Sequence, residues 1–277
     1  MRRVLIAVLA ASFVAPAAAQ EPAEDWDFGV DDRRNLTIAA VSFETFGVAV
    51  RCLDGVFGVV LSGLPAGPNL RSIAYRMGDG PEISTEWVGL RNGQTAFAVW
   101  PAHRAEELAG GGRLSLGVRD GERVRRIAVD LPPSPSAVTR VFQACDRTPP
   151  SLQPVQVADG ESFSGLRWRR QPQVSYPSQT LSEGGLAAIA CRSTETGSLR
   201  GCSIESEFPE GGGFGRAATL ATHRTARLEQ SDGTQTGMEG RRVSFVVRYN
   251  LLSEAETLSP PSRLPRNDTP ASESSSE

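Results

Sequence analysis

The 277-residue chain carries 32 acidic residues against 29 basic ones, all of the latter Arg, for a net charge of −3. That balance supplies no basic field to attract nucleic acid, so nucleic-acid binding is excluded as an expectation. Four cysteines in a chain of this size fit an exported protein whose thiols oxidise, and after the leader about 258 residues remain, enough for two ordinary domains.

The N-terminus reads as a cleavable signal peptide over residues 1–19. Arg2 and Arg3 precede an apolar run from Val4 to Val14, and Pro16, Ala17, Ala18 and Ala19 precede Gln20. A positive n-region, a short h-region and an A-x-A site place cleavage between Ala19 and Gln20. As an uncleaved anchor, Val4–Ala19 would reach only ~24 Å as a helix at ~1.5 Å per residue. A hydrocarbon core is ~30 Å thick. The mature chain is therefore expected to be soluble and periplasmic.

Residues 26–146 form the first expected domain. Short β-rich runs follow one another at Leu36–Phe43, Val48–Cys52, Phe57–Leu61, Ser72–Met77, Ile83–Val88, Thr95–Trp100, Leu114–Val118 and Arg123–Leu131. Asp54-Gly55, Asp79-Gly80, Asn92-Gly93 and Asp120-Gly121 punctuate them, and Asx-Gly pairs supply the positive φ angles of tight hairpins. The expectation is an all-β, sandwich-like antiparallel domain. One helix, Ala102–Ala109, interrupts it, and Ala137–Cys145 forms a second short helix. Trp26, Trp87 and Trp100 are assigned to its core or rim.

Four cysteines allow three pairings, and sequence alone does not choose among them. Cys52–Cys145 is favoured because it closes the first domain on itself and leaves Cys191 with Cys202. Residues 147–163 contain Pro149, Pro150 and Pro154 and read as a linker, and residues 253–277, rich in Ser, Pro and Glu, as a disordered tail.

The second domain spans residues 164–252. Tyr176-Pro177 opens a polar segment with a helical turn. A hairpin follows, with strands Leu186–Thr194 and Leu199–Phe208. If Thr196-Gly197 are its two turn residues, Cys191 and Cys202 face each other directly, within disulfide reach. A three- or four-residue loop with a bulged Gly197 would shift this register by about one place. Arg216–Leu228 is read as a helix. The final strand, Arg241–Leu252, alternates Val243, Phe245, Val247 and Tyr249 with polar neighbours, the signature of a half-buried strand. The class is a small α+β domain of hairpin, helix and final strand.

These residues carry a resemblance. The run Trp168…Pro172…Tyr176-Pro177…Gly185…Cys191…Gly197…Cys202…Glu207-x-Pro-x-Gly…Phe214-Gly-x-Ala-Ala218…Gly240…Val243–Tyr249 resembles the C-terminal domain of TonB-type proteins, in particular the cysteine-containing variants of alphaproteobacteria. It covers residues 168–252, about a third of the chain. The resemblance implies capture of an extended peptide, such as a segment of an outer-membrane receptor, by strand addition beside the final strand: Val243, Ser244, Phe245, Val246, Val247, Arg248, Tyr249 and Asn250. It implies a link to TonB-dependent transport. A signal peptide and a folded β domain stand where an energy transducer has a membrane helix and a long proline-rich spacer. A membrane-anchored transducer component is the alternative within the class, and a secreted hydrolase with an unrecognised triad the alternative outside it.

Other constellations carry less. Gly211-Gly-Gly-Phe-Gly215 lies between a strand and a helix, where glycines cradle phosphate, but lacks the third glycine of G-x-G-x-x-G and the Lys of a P-loop. It is read as a flexible start to the helix. His103 and His223 have no ligand-spaced companions, so no metal and no cofactor are expected. Ser162, in Gly160-Glu-Ser-Phe-Ser-Gly165, imitates G-x-S-x-G with the wrong spacing, and no catalytic residue is assigned. Trp168 is expected to pack as a lid while Arg169 and Arg170 stay solvated.

Overall fold

The computed structural model describes residues 26–90, 93–152, 160–178, 182, 184–233 and 236–250, without the side chain of Asn250. The signal peptide with Ala19 and Gln20, Asn92 of one turn, most of the linker, most of the polar segment after Pro177, and the tail lie outside the described residues.

Nine strands, β1 (Asp27–Asp31), β2 (Leu36–Ser42), β3 (Gly47–Leu53), β4 (Val56–Ser62), β5 (Leu70–Met77), β6 (Ile83–Gly89), β7 (Thr95–Ala98), β8 (Gly112–Asp120) and β9 (Arg123–Leu131), form one antiparallel sheet. Its order is β1-β2-β3-β4-β7-β6-β5-β8-β9. The β-rich, antiparallel class is as expected. The strands are joined in a single sheet because β7 pairs with both β4 and β6 and so closes the gap between two hairpin groups. At the β3–β4 turn, Asp54 and Gly55 both take positive φ, at 49° and 78°, as a two-residue hairpin turn requires. Trp26, just before β1, donates from its indole to the Pro132 carbonyl just after β9 at 2.9 Å. The two outermost strands of the sheet thus converge at one end.

Helices α1 (Pro101–Ala109) and α2 (Pro135–Ala144) each begin with proline, whose missing N–H costs nothing in a first turn. Ala102, Ala105 and Leu108 of α1 and Val138, Val141 and Phe142 of α2 join the apolar faces of β2–β8 in one core. Phe142 stacks on Phe57 with ring centroids 4.4 Å apart. Beside that contact, Cys145 is bonded to Cys52 of β3 with Cα atoms 5.5 Å apart.

The remaining strands are β10 (Leu166–Arg170), β11 (Gly184–Ser193), β12 (Leu199–Phe208), β13 (Arg227–Gln230) and β14 (Arg242–Asn250), with α3 (Phe214–Thr225) between β12 and β13. They make a three-stranded antiparallel sheet, β12-β11-β14, and a separate β10–β13 pair. Helix α3 packs on β11 and β12 around a second core that includes Phe214, Ala218, Leu228, Phe245 and Tyr249. Trp168 is half-buried edge-on to Phe245, and Arg169 and Arg170 are exposed.

One detail corrects the sequence reading, and a second decides between its alternatives. The helix stops at Thr225 rather than Leu228, because the Leu228 amide donates to the Gly197 carbonyl at 2.7 Å and Arg227–Gln230 pairs with β10. That close approach needs a glycine, since a Cβ on Gly197 would run into the Leu228 carbonyl. Of the turns the sequence leaves open, the three-residue loop with Gly197 forms rather than the two-residue Thr196-Gly197. The Thr194 amide donates to the Ser198 carbonyl across Glu195-Thr196-Gly197, with Gly197 at φ 74°. Near the turn Ser193 faces Leu199, and a bulge between Ala190 and Arg192 restores the register in which Ala190 faces Ser203. Cys191 and Cys202 sit in that bulge, bonded, with Cα atoms 4.1 Å apart.

Candidate functional site

β14 is an edge strand, and its two rows of backbone groups can be told apart. Both the N–H and the C=O of Ser244 bond outward, away from β11, at 2.8 Å each. Alternation along a strand then makes Arg242, Ser244, Val246 and Arg248 the outward residues, and Val243, Phe245, Val247 and Tyr249 the ones laddered to β11.

Side chains divide the same way. Val243, Phe245, Val247 and Tyr249 are buried in the α3 core. The opposite row is not the solvated face expected of a half-buried strand. Ser244 is fully buried, and Val246 packs with Leu186, Ala188 and Phe208 against Val99 and Trp100 of the nine-stranded region. Arg248 reaches across to Glu86 of β6, with Nη2 at 2.7 and 2.9 Å from the two carboxylate oxygens. Arg51 bonds Glu210 at 2.6 Å, and Ser206 Oγ donates to the Val99 carbonyl at 2.6 Å. Polar contacts therefore surround this apolar seam, and β14 is covered on both faces at its centre.

The outward edge is partly filled by the chain itself. Gly160–Ser164 runs antiparallel along it, with Ser162 exchanging both backbone hydrogen bonds with Ser244. Ser164 Oγ donates to the Arg242 carbonyl and Ser244 Oγ to the Gly160 carbonyl, each at 2.7 Å. The Val246 amide donates to Glu161 Oε1 at 2.8 Å. Beyond Val246, among the described residues, nothing bonds the edge at Arg248. A cleft of about 190 Å³ opens beside this strap, lined by Glu161, Glu86, Trp87, Trp100 and Arg104.

The glycine-rich loop before α3 has its own anion. Glu207, on β12, accepts from the Gly215 amide at 2.6 Å and from the Gly213 amide at 3.3 Å. A carboxylate thus occupies the position a phosphate would take at this helix N-terminus. Replacing Glu207 with Ala is expected to cost about 1–2 kcal/mol, the usual loss for removing a helix-capping acceptor. Urea denaturation measures it, and an unchanged midpoint would mean that water caps α3 equally well. Nearby, the Tyr249 hydroxyl donates to the Phe214 carbonyl at 3.1 Å. Burial, with the Glu207 charge adding to it, pushes its pKa up to about 12, so the phenol stays a neutral donor.

The sequence-derived sites fall as follows. Both disulfides join the expected partners, and no helix among the described residues is long and apolar enough to cross a membrane. The eight residues of the expected peptide-binding strand lie on β14. Ser162 sits on the strap, with its backbone rather than its hydroxyl engaged at β14. Among the described residues no group of three or more His, Cys, Asp or Glu is gathered as a metal would need. Sequence reasoning misses the strap, the Glu207 cap and the Arg248–Glu86 pair, and only the acidic residue six to eight positions before the glycines hints at any of them. No protein-family model matches the chain, and no curated protein or solved structure matches it.

Proposed function

We propose that the chain is an exported, periplasmic binding protein without catalytic activity, which takes up an extended segment of an envelope protein along the outer edge of β14. The observation that carries the reading is the Ser162–Ser244 pair, in which this edge already accepts a stretch of extended chain through two backbone hydrogen bonds. Strand addition uses those same groups, with backbone bonds supplying affinity and alternate side chains supplying selectivity. The resemblance of residues 168–252 to TonB-type C-terminal domains supports it and suggests an outer-membrane receptor segment as the partner. The two closed disulfides accord with an oxidising compartment.

The test begins with peptides selected from a displayed decapeptide library on the intact protein. Val246→Pro, made in a Glu161→Ala background so that no strap contact is lost with it, removes an outward N–H while leaving the β11 ladder in place. Affinity for the selected peptides is expected to fall about tenfold or more, as for one lost backbone hydrogen bond on a binding edge. Unaltered affinity in the variant would sink the reading.

A further inference from the structure

Gly160–Ser164 lies where the proposed ligand would lie, and it is held by contacts a ligand could reproduce. It runs antiparallel to β14, pairs once through Ser162, and presents the Glu161 carboxylate to the Val246 amide. Immediately after Ser162, Phe163 sets its ring edge-on to Trp168, with 5.2 Å between centroids. Trp168 in turn stands edge-on to Phe245 of β14 at 5.0 Å. The chain then turns off the edge, with Ser164 and Gly165 at φ 49° and 79°.

Apart from the half-buried Phe163 ring, the strap is held by hydrogen bonds at the surface rather than by burial. Glu161, Ser162 and Ser164 are all exposed. From these contacts we infer that Gly160–Ser164 is an internal stand-in for the partner, that the partner must displace it, and that the partner segment carries the same chemistry: a carboxylate, one spacer residue, then an aromatic ring, running antiparallel to β14. This rests on the peptide-binding reading of the edge. A longer partner would have the advantage over the strap, because it can continue past Val246 to the outward groups of Arg248. A bound strap lowers apparent affinity by the fraction of molecules in which it is open.

The probe is a fluorescent peptide of residues 160–166, titrated into the full chain and into two variants. Ser162→Pro removes the donor to the Ser244 carbonyl, and Glu161→Ala removes the acceptor of the Val246 amide. Both variants are expected to bind the probe more tightly than wild type, Ser162→Pro by about tenfold or more as the occluded fraction is released. A probe with alanine in place of its Glu and Phe is expected to lose that gain. Equal binding by wild type and both variants would overturn the stand-in while leaving the edge as a peptide site. Fast amide exchange at Ser244 in a folded variant, with no binding of this probe or of library-selected peptides, would overturn the edge reading as well. Should Ser162→Pro fail to fold, Glu161→Ala, which leaves the backbone intact, decides the matter alone.

Discussion

Replacing Cys52 and Cys145 together by alanine is expected to lower stability by about 4–5 kcal/mol. The bond closes a loop with a sequence separation of 93, which contains β4–β9, α1 and α2. Without it the unfolded chain regains the freedom of that whole loop, and the cost grows with the logarithm of loop length. Cys191–Cys202 has a separation of only 11, so its removal is expected to cost about 3 kcal/mol by the same relation. Urea denaturation of the two double variants, followed by tryptophan fluorescence, measures both. Three of the four tryptophans, Trp26, Trp87 and Trp100, belong to the nine-stranded region, so the signal reports chiefly on the part that Cys52–Cys145 closes. A greater loss from the short-loop pair would reject the chain-entropy account and point to the bulge geometry of the hairpin instead.

Local patterns are legible from sequence, and distant pairings are not. Strands β2–β9 follow runs of alternating or β-branched residues bounded by turn signals, and Asp54-Gly55 makes the turn its residues dictate. β1 escapes because Asp27-Phe-Gly-Val-Asp31 offers only Phe28 and Val30 as apolar residues, and Val30 is 59% exposed at the sheet edge. β10 and β13 escape for a different reason. Arg167 pairs with Glu229, and a contact over that span has no local periodicity to announce it. The helical pattern Arg216–Leu228 holds as far as Thr225, after which tertiary pairing overrides propensity.

The candidate site divides along the same line. The alternation of β14 can be read from spacing, whereas the register that joins Cys191 to Cys202 depends on a three-residue turn and a bulge that spacing leaves open. The second buried face of β14 cannot be so read, because nothing local announces that Val99 and Trp100 pack against Val246 on this side of the strand, or that the exposed Arg248 pairs with Glu86. The strap is equally hidden. Gly160–Ser164 has the composition of a linker, and its value lies only in where the backbone of β14 meets it.

Phe214→Ala is expected to cost about 3–5 kcal/mol, the range for emptying a fully buried phenylalanine site. Phe214 is the first residue of α3 and has no exposed surface. Its ring meets Tyr176 edge-on at 5.5 Å and Tyr249 at 5.0 Å, and its carbonyl accepts from the Tyr249 hydroxyl. The ring also crowds Gly185 of β11, where an added Cβ would sit 2.6 Å from Cε1. Gly185→Ala is therefore expected to cost about 1–3 kcal/mol by overpacking. The two losses should not add. Gly185→Ala combined with Phe214→Ala is expected to be more stable than the sum of the single changes predicts, because the new methyl enters space the ring has left. Chemical denaturation of the singles and the double closes the cycle. Strict additivity would mean that the ring can swing away from Gly185, and the close helix–sheet contact that positions Tyr249, and with it the end of β14, would lose its basis.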